Sequence, residues 1–290
     1  MRVIVTGGTG FVGRHLVSAL QGENEVVCLV RHPDAAPPLG RVTTVEWDFT
    51  RAMSRRRLPA SADALVHLAQ AYVPFPSDAE TLFAVNAAST QWLAEYARRA
   101  RIPRFVLASS GSVYRPRRTP LTEDAPLLPP TYHPATKQIS ELVLRYYDPY
   151  FTTAVLRLFA PYGPGQVNRL IPRMFAAIGS GAPIELSHGG EPRINPIYVD
   201  DLVRIFTEAL TGTRSFTVNV AGPQVLSIRG LAQLIGSLVG RRPHFVERDS
   251  QTRGNLVADT HLMHELFTAP PEVGLKDGLA RMLDDSGERR

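Results

Sequence analysis

The segment Thr6-Gly7-Gly8-Thr9-Gly10-Phe11-Val12-Gly13 constrains this chain more than any other. It is entered from the apolar run Val3-Ile4-Val5 and opens the helical pattern Phe11, Val12, Leu16, Leu20. Glycines at such a spacing say little alone, but between a strand and a helix they have a mechanism. Gly7 permits the tight turn, Gly10 lets the backbone approach a pyrophosphate, and Gly13 lets the helix pack closely on the strand. The helix N-terminus then offers free N–H groups and a partial positive charge to the phosphates. Gly7, Thr9, Gly10, Phe11, Val12 and Gly13 are therefore the expected dinucleotide contacts.

Strand and helix patterns alternate along the first half, as a parallel sheet requires. Strands are expected at 2–6, 25–30, 43–47, 63–68, 104–109 and 152–158, with helices near 10–20, 79–100 and 133–148. Helix 79–100 would place Leu82, Val85, Trp92, Leu93 and Tyr96 on one broad face. Residues 50–60 are polar and ambiguous. After 158 the rhythm breaks at Gly163-Pro164-Gly165. Helices are expected near 169–179, 199–211, 227–239 and 260–267, short β pieces at 183–186 and 195–198, and a strand at 216–220. The predicted fold is α/β: a doubly wound parallel sheet of Rossmann type with a small mixed α/β C-terminal lobe. Residues 1–160 would form the dinucleotide-binding domain, with 196–220 returning to it. Residues 161–195 and 221–283 would form the substrate lobe, and 284–290 a frayed tail.

Composition narrows the classes. No apolar run is long enough to span a bilayer, and the first residues enter a strand directly, without the pattern of a leader. The single cysteine, Cys28, lies in Val26-Val27-Cys28-Leu29-Val30 and reads as a small buried hydrophobe. One cysteine excludes an internal disulfide framework and a cysteine-rich metal site, so no metal is expected and the cytoplasm is the expected compartment. The net charge is +5, and 30 of the 32 basic residues are Arg, scattered rather than gathered into a stripe. That argues against a nucleic-acid partner and suits small anionic ligands. Against the Arg bias, Lys137 stands out, because Lys can be tuned by its surroundings and Arg cannot.

The end of the second strand bears on the cofactor's phosphate state. An NAD site usually offers an acid there for the ribose hydroxyls. Here Leu29-Val30-Arg31-His32-Pro33 precedes any acid, the first being Asp34. Arg31 suits a 2′-phosphate clamp, so NADP is expected over NAD.

Several pieces, in order, resemble the extended short-chain dehydrogenase/reductase family of NAD(P)-dependent sugar-nucleotide epimerases, dehydratases and reductases. The opening TGGTGFVG resembles that family's TGxxGxxG. Val66-His67-Leu68-Ala69-Gln70 resembles its H-L-A-A strand end, Val85-Asn86-Ala87-Ala88-Ser89-Thr90 its N-V-x-G-T, and Ser109-Ser110-Gly111-Ser112-Val113-Tyr114 its S-S-x-x-V-Y. Arg157 to Gln166 and Arg193 to Asp201 resemble R-x-F-N-x-Y-G-P-G and R-D-F-x-Y-V-D-D. The resemblance implies cofactor contacts at Asp48 and Phe49, at Leu68, Ala69 and Gln70, and at Asn86 and Lys137. It also implies a diphosphate grip by Arg193 and Arg253, and a homodimer built on helices 79–100 and 133–148.

The catalytic segment departs from that pattern. The family pairs Tyr with Lys at i and i+4, on one helix face. In Tyr132-His133-Pro134-Ala135-Thr136-Lys137, the residue four before Lys137 is His133. Ser110 holds the family's hydroxyl position. Three readings stand: His133 exchanges the proton; Tyr132 swings in, with Pro134 taken as the first helical position; or neither acts, and the fold is a redox-silent dinucleotide sensor. Gly111 and Ser112 replace the acid pair of the family's dehydratases, and Ala160 replaces the Asn of R-x-F-N. The expected activity is reduction or epimerisation of a nucleotide-activated sugar, the alternative being reduction of a non-sugar carbonyl compound.

Overall fold

The computed structural model describes residues 1–32, 41–51, 57–249 and 254–285. The strands β1 (Arg2–Thr6), β2 (Glu25–Val30), β3 (Val42–Glu46), β4 (Ala64–His67) and β5 (Arg104–Ser110) pair in parallel. With β6 (Thr152–Leu158) and β9 (Phe216–Val220) they make one seven-stranded sheet in the order β3-β2-β1-β4-β5-β6-β9. The order reverses between β1 and β4, and the crevice beyond the carboxyl ends of those two strands is the ligand position of a doubly wound sheet. β1, β4 and β5 are buried almost throughout and read as near-continuous apolar runs because both sheet faces are covered.

The chain divides into two compact units. The first comprises residues 1–113, 127–157 and 203–218. Its helices include α1 (Phe11–Leu20), α2 (Ala79–Phe83), α3 (Ser89–Arg99) and α4 (Tyr132–Arg145). Leu65, Leu93, Phe105 and Leu144 are buried to within 1% in one core on the α3–α4 side, each stabilising the fold by about 1.5–3 kcal/mol. The expected single helix 79–100 is instead three pieces, because residues 84–88 form one π turn between α2 and α3. Its cause is visible in the side chains. Asn86 turns inward, accepts from Ala71 N–H at 2.7 Å and donates to the Ala71 carbonyl at 3.1 Å, while its own carbonyl accepts from the Ser140 hydroxyl. A π turn places one extra residue on that inner face, and such turns gather at functional sites.

A buried ion pair ties α4 to the sheet. Arg157 of β6 grips Glu141 of α4, with Nη2 2.7 Å from Oε2 and Nε 3.1 Å from Oε1, and the Ser109 hydroxyl also donates to Oε1. Both charges are out of solvent, so the pair holds only because its hydrogen bonds replace water. Arg104 at the start of β5 is also buried, donating to the carbonyls of Ala209 and Arg214 at 2.8 Å each. Burial brings its pKa down to about 10.

The second unit comprises residues 114–126, 158–202 and 219–290. Its helices α5 (Leu170–Ser180) and α6 (Ile228–Val239) pack on each other. Both end in left-handed glycines, Gly181 at φ 74° and Gly240 at φ 69°. Short strands pair as β7 (Ile184–Leu186) with β11 (Phe245–Glu247) and as β8 (Arg193–Ile194) with β10 (Leu226–Ser227). The β piece expected at 195–198 therefore lies earlier, at 193–194. Asn195 leaves the ladder for a reciprocal pair with Ala258, at 3.1 and 3.0 Å. One helix was not anticipated, α7 (Leu275–Asp285). Asp284 and Asp285 thus end a helix rather than begin a tail, and 286–290 lie outside the described residues.

Candidate active site

The glycine turn is built by backbone contact. Gly7 takes φ +71°, and a Cβ there would stand 2.7 Å from Ala69 N. A Cβ on Gly13 would stand 2.1 Å from the Gly7 carbonyl oxygen, so α1 can meet β1 this closely only through glycine. Gly10 differs: its missing Cβ would meet only that same oxygen, at 3.2 Å, and the residue is exposed. The turn thus presents bare backbone at the first turn of α1, whose N-cap is Gly10 and whose first turn holds no acidic residue. Phe11, Val12 and Thr9 are half-buried around it. These features fit a diphosphate.

The other expected contacts follow the strand ends of β2, β3 and β4. Leu68 and Ala69 are half-buried beyond β4, with Leu68 N–H bonded to the Thr6 carbonyl at 3.2 Å. Gln70 is exposed. Arg31 follows β2, exposed, and Asp34 lies outside the described residues. Asp48 takes Thr50 N–H at 2.9 Å and the Thr50 hydroxyl at 2.7 Å. Its partial burial raises the pKa, but those bonds, with Arg51 and Arg31 nearby, hold it below the ordinary value. Phe49 stands 5.9 Å from His67, ring to ring.

The candidate catalytic segment sits at the start of α4. Its N-cap is Thr131, so Tyr132 is the first helical residue and Pro134 the third. The reading that put Pro134 at the first position, with Tyr132 outside the helix, is corrected: proline is tolerated anywhere among the first N–H groups of a helix, which have no partner in any case. Tyr132 is held by Phe75, stacked at 4.6 Å and 24°. His133 meets the ring of Tyr72 edge-on at 5.1 Å. One turn on, Lys137 is only 1% exposed. Burial brings its pKa down to about 8, and Glu141, a further turn along, acts the other way. Ser110 ends β5, half-buried, and accepts the Ser112 N–H at 3.1 Å, which leaves its own proton free to be given. Arg193 is exposed on β8 in the second unit, bonded through its backbone to the Asn255 side chain and to Leu256 N–H. Arg253 lies outside the described residues.

Sequence reasoning missed three things here. Glu141, on the helix that carries Lys137, is gripped by Ser109 and Arg157; the i, i+4 spacing of Lys137 and Glu141 was the available signal. The loop rings Tyr72 and Phe75 gave no periodic signal at all. His67 was visible only as part of a strand-end motif.

Residues 3–221 match the NAD dependent epimerase/dehydratase family. The chain belongs to that family. A dTDP-glucose 4,6-dehydratase of Streptomyces griseus is 30% identical over 302 residues, covering 96% of this chain and 92% of that one. A 4-hydroxy-2-methyl-3-oxo-4-farnesyl-3,4-dihydroquinoline-1-oxide ketoreductase of Stigmatella aurantiaca is 36% identical over 165 residues, 54% of this chain and 49% of that one. Among solved structures, MoeE5 in complex with UDP-glucose and NAD superimposes with a TM-score of 0.89 at 25% identity, over 99% of both chains. Among the described residues no helix is long and apolar enough to cross a membrane, and no cluster could hold a metal ion.

The buried histidine beside this site makes stability depend on pH. Burial, and then the charge of Lys137, hold the pKa of His67 well below its ordinary 6.5. Below about pH 6.5 the unfolded chain takes up a proton that the folded chain refuses. The stability that neutral His67 supports is thus complete above that pH and is lost as pH falls toward the folded pKa. Denaturant titrations from pH 7.5 to 5 should show a fall of up to about 1.4 kcal/mol per pH unit from this group. His67→Asn should flatten that fall; an unchanged slope in the variant would contradict the assignment.

Proposed function

We propose that the protein is an NAD(P)-dependent oxidoreductase or epimerase of a nucleotide-activated keto sugar. The observation that carries this reading is the bare-backbone glycine turn at the switch point, in a unit that also holds Ser110, His133 and Lys137. Family membership and the UDP-glucose and NAD named with MoeE5 support it. The first unit would take the dinucleotide and the second the substrate, with Arg193 and Arg253 on its diphosphate. The dinucleotide, when bound, supplies hydride transfer. Ser110 would hold the reacting oxygen, His133 would take or give its proton, and Lys137 would bind the ribose and set the local potential. His133 is favoured over Tyr132 by its place one turn before Lys137 and by the stacking of Tyr132 on Phe75.

A second reading, reduction of a non-sugar carbonyl, is favoured by the loops beside His133. Ala71 to Ser77 and Ala125 to Tyr132 carry no charged residue, and Tyr72, Val73, Phe75 and Leu128 are exposed. The ketoreductase relative gives that reading its precedent.

With UDP-glucose and UDP-glucuronic acid as probes, His133→Ala should lower turnover by about 10²–10⁴-fold while dinucleotide affinity stays nearly intact. Tyr132→Phe should cost little. The reverse outcome would move the proton to Tyr132, and a wild-type protein inert on both probes but active on an apolar ketone would select the second reading.

For the cofactor we propose NADP, on Arg31. Arg31→Asp should weaken NADPH more than NADH, a charge-assisted contact being worth on the order of 1.5–3 kcal/mol. Equal affinities of the wild-type protein for the two would overturn the choice.

For assembly we propose a homodimer. On the outer face of α3 and α4, a shallow hollow of about 480 Å³ is lined by Glu95, Arg98, Leu142 and Tyr146, with Tyr150 at its edge. Leu142 and Tyr146 are 52% and 77% exposed, an apolar face that a second copy would cover. Light scattering at micromolar concentration should give twice the mass of one chain; a single-chain mass would contradict it.

A further inference from the structure

On the dinucleotide reading, one buried histidine has no role among the groups named for binding and catalysis. His67 ends β4 with no exposed surface. Its Nδ1 lies 2.7 Å from Thr6 Oγ1, at the end of β1, and its Nε2 lies 2.9 Å from Ser89 Oγ, just past the π turn. Ala69 N–H donates to Thr6 Oγ1 at 3.1 Å, and Ser89 Oγ stands 2.6 Å from the Val85 carbonyl oxygen.

Counting protons fixes the tautomer. A carbonyl only accepts, so the Ser89 hydroxyl proton goes to Val85, and Ser89 Oγ must accept from His67 Nε2–H. Nδ1 is then bare and takes the proton of Thr6, whose oxygen already accepts from Ala69. Every donor and acceptor in the set is used. With the proton on Nδ1, Ser89 would have to leave Val85 to reach Nε2, and the Thr6 proton would have no acceptor within the set. A doubly protonated ring would reverse the Thr6 link, again leaving the Thr6 proton without an acceptor in the set, and place a second positive charge near Lys137. The bonds therefore run one way, from Ala69 N–H through Thr6 and His67 to Ser89 and Val85, and bonds in such a series strengthen one another.

The two ends of this chain frame the switch point. Thr6 leads into Gly7, and the Gly7 backbone rests on Leu68 and Ala69, where a Cβ would find their atoms 2.7–2.9 Å away. We propose that His67, as the Nε2–H tautomer, is a positioning residue for the dinucleotide: its relay holds the glycine turn and the Leu68–Ala69 backbone in the geometry that receives the cofactor. His67 touches no phosphate itself. It acts through Thr6.

The test needs no substrate. Nitrogen-15 spectra of the wild-type protein should show His67 protonated at Nε2 and bare at Nδ1. Thr6→Val, nearly isosteric, should weaken NADP binding by about tenfold, measured by calorimetry at a temperature where the variant is fully folded. Thr6→Ser, which restores the hydroxyl, should return affinity to within about threefold of wild type; a hydroxyl that served only packing would not be rescued this way. If Thr6→Val does not fold, Ser89→Ala takes its place, with the same loss expected. A wild-type protein that binds no dinucleotide would overturn the function and the relay's purpose with it. Binding accompanied by an Nδ1–H resonance, or variants that bind as tightly as wild type, would overturn the relay alone.

Discussion

Backbone pressed against backbone at the first turn is the contact on which the rest of the first unit depends. Gly13 packs on the carbonyl of Gly7, and Gly7 on the amide of Ala69. A side chain at either point would push α1 off β1 or β1 off the end of β4. The adjacent Gly8 is almost as confined, since a Cβ there would lie 2.9 Å from the sulfur of Cys28. Because β1 is the strand at which the sheet order reverses, that closeness shapes the crevice itself.

The second constraint is electrostatic. The unit buries an imidazole, an ammonium, a carboxylate and two guanidiniums in and around β4, β5, β6 and α4. Each is handled differently. His67 stays neutral and is satisfied by hydroxyls, while Glu141 and Arg157 neutralise one another with Ser109 adding a bond. Lys137 is drawn down to about 8 by burial and partly restored by Glu141. That arrangement keeps one tunable charge beside the candidate catalytic residues and fixes the others.

The loop after β4 supplies shape rather than charge. Phe75 against Tyr132 and Tyr72 against His133 pair each candidate proton carrier with one aromatic ring. Edge-to-face and offset contacts of this kind orient rings as well as bury them. The start of α4 is thereby held by groups far from it in the chain.

How much of this was legible follows from the range of the forces. Strand–turn–helix at residues 2–20, the alternation that makes the sheet and the face shared by His133 and Lys137 are local patterns, fixed by periodicity and by what glycine alone permits. The π turn at 84–88, by contrast, depends on Asn86 finding Ala71 and Ser140, and no window of sequence contains that partnership. Likewise the start of α4 at Tyr132 came from where the helix caps, a position that a rule about proline placed two residues late. The charge pair of Arg157 and Glu141, and the tautomer of His67, needed β1, β4, β6, α3 and α4 brought side by side. The sequence by itself determined which segments could be strand, turn or helix and which chemistry they carry. Only the tertiary structure decided which buried polar groups meet, because a desolvated donor or acceptor must find its partner wherever the fold puts one.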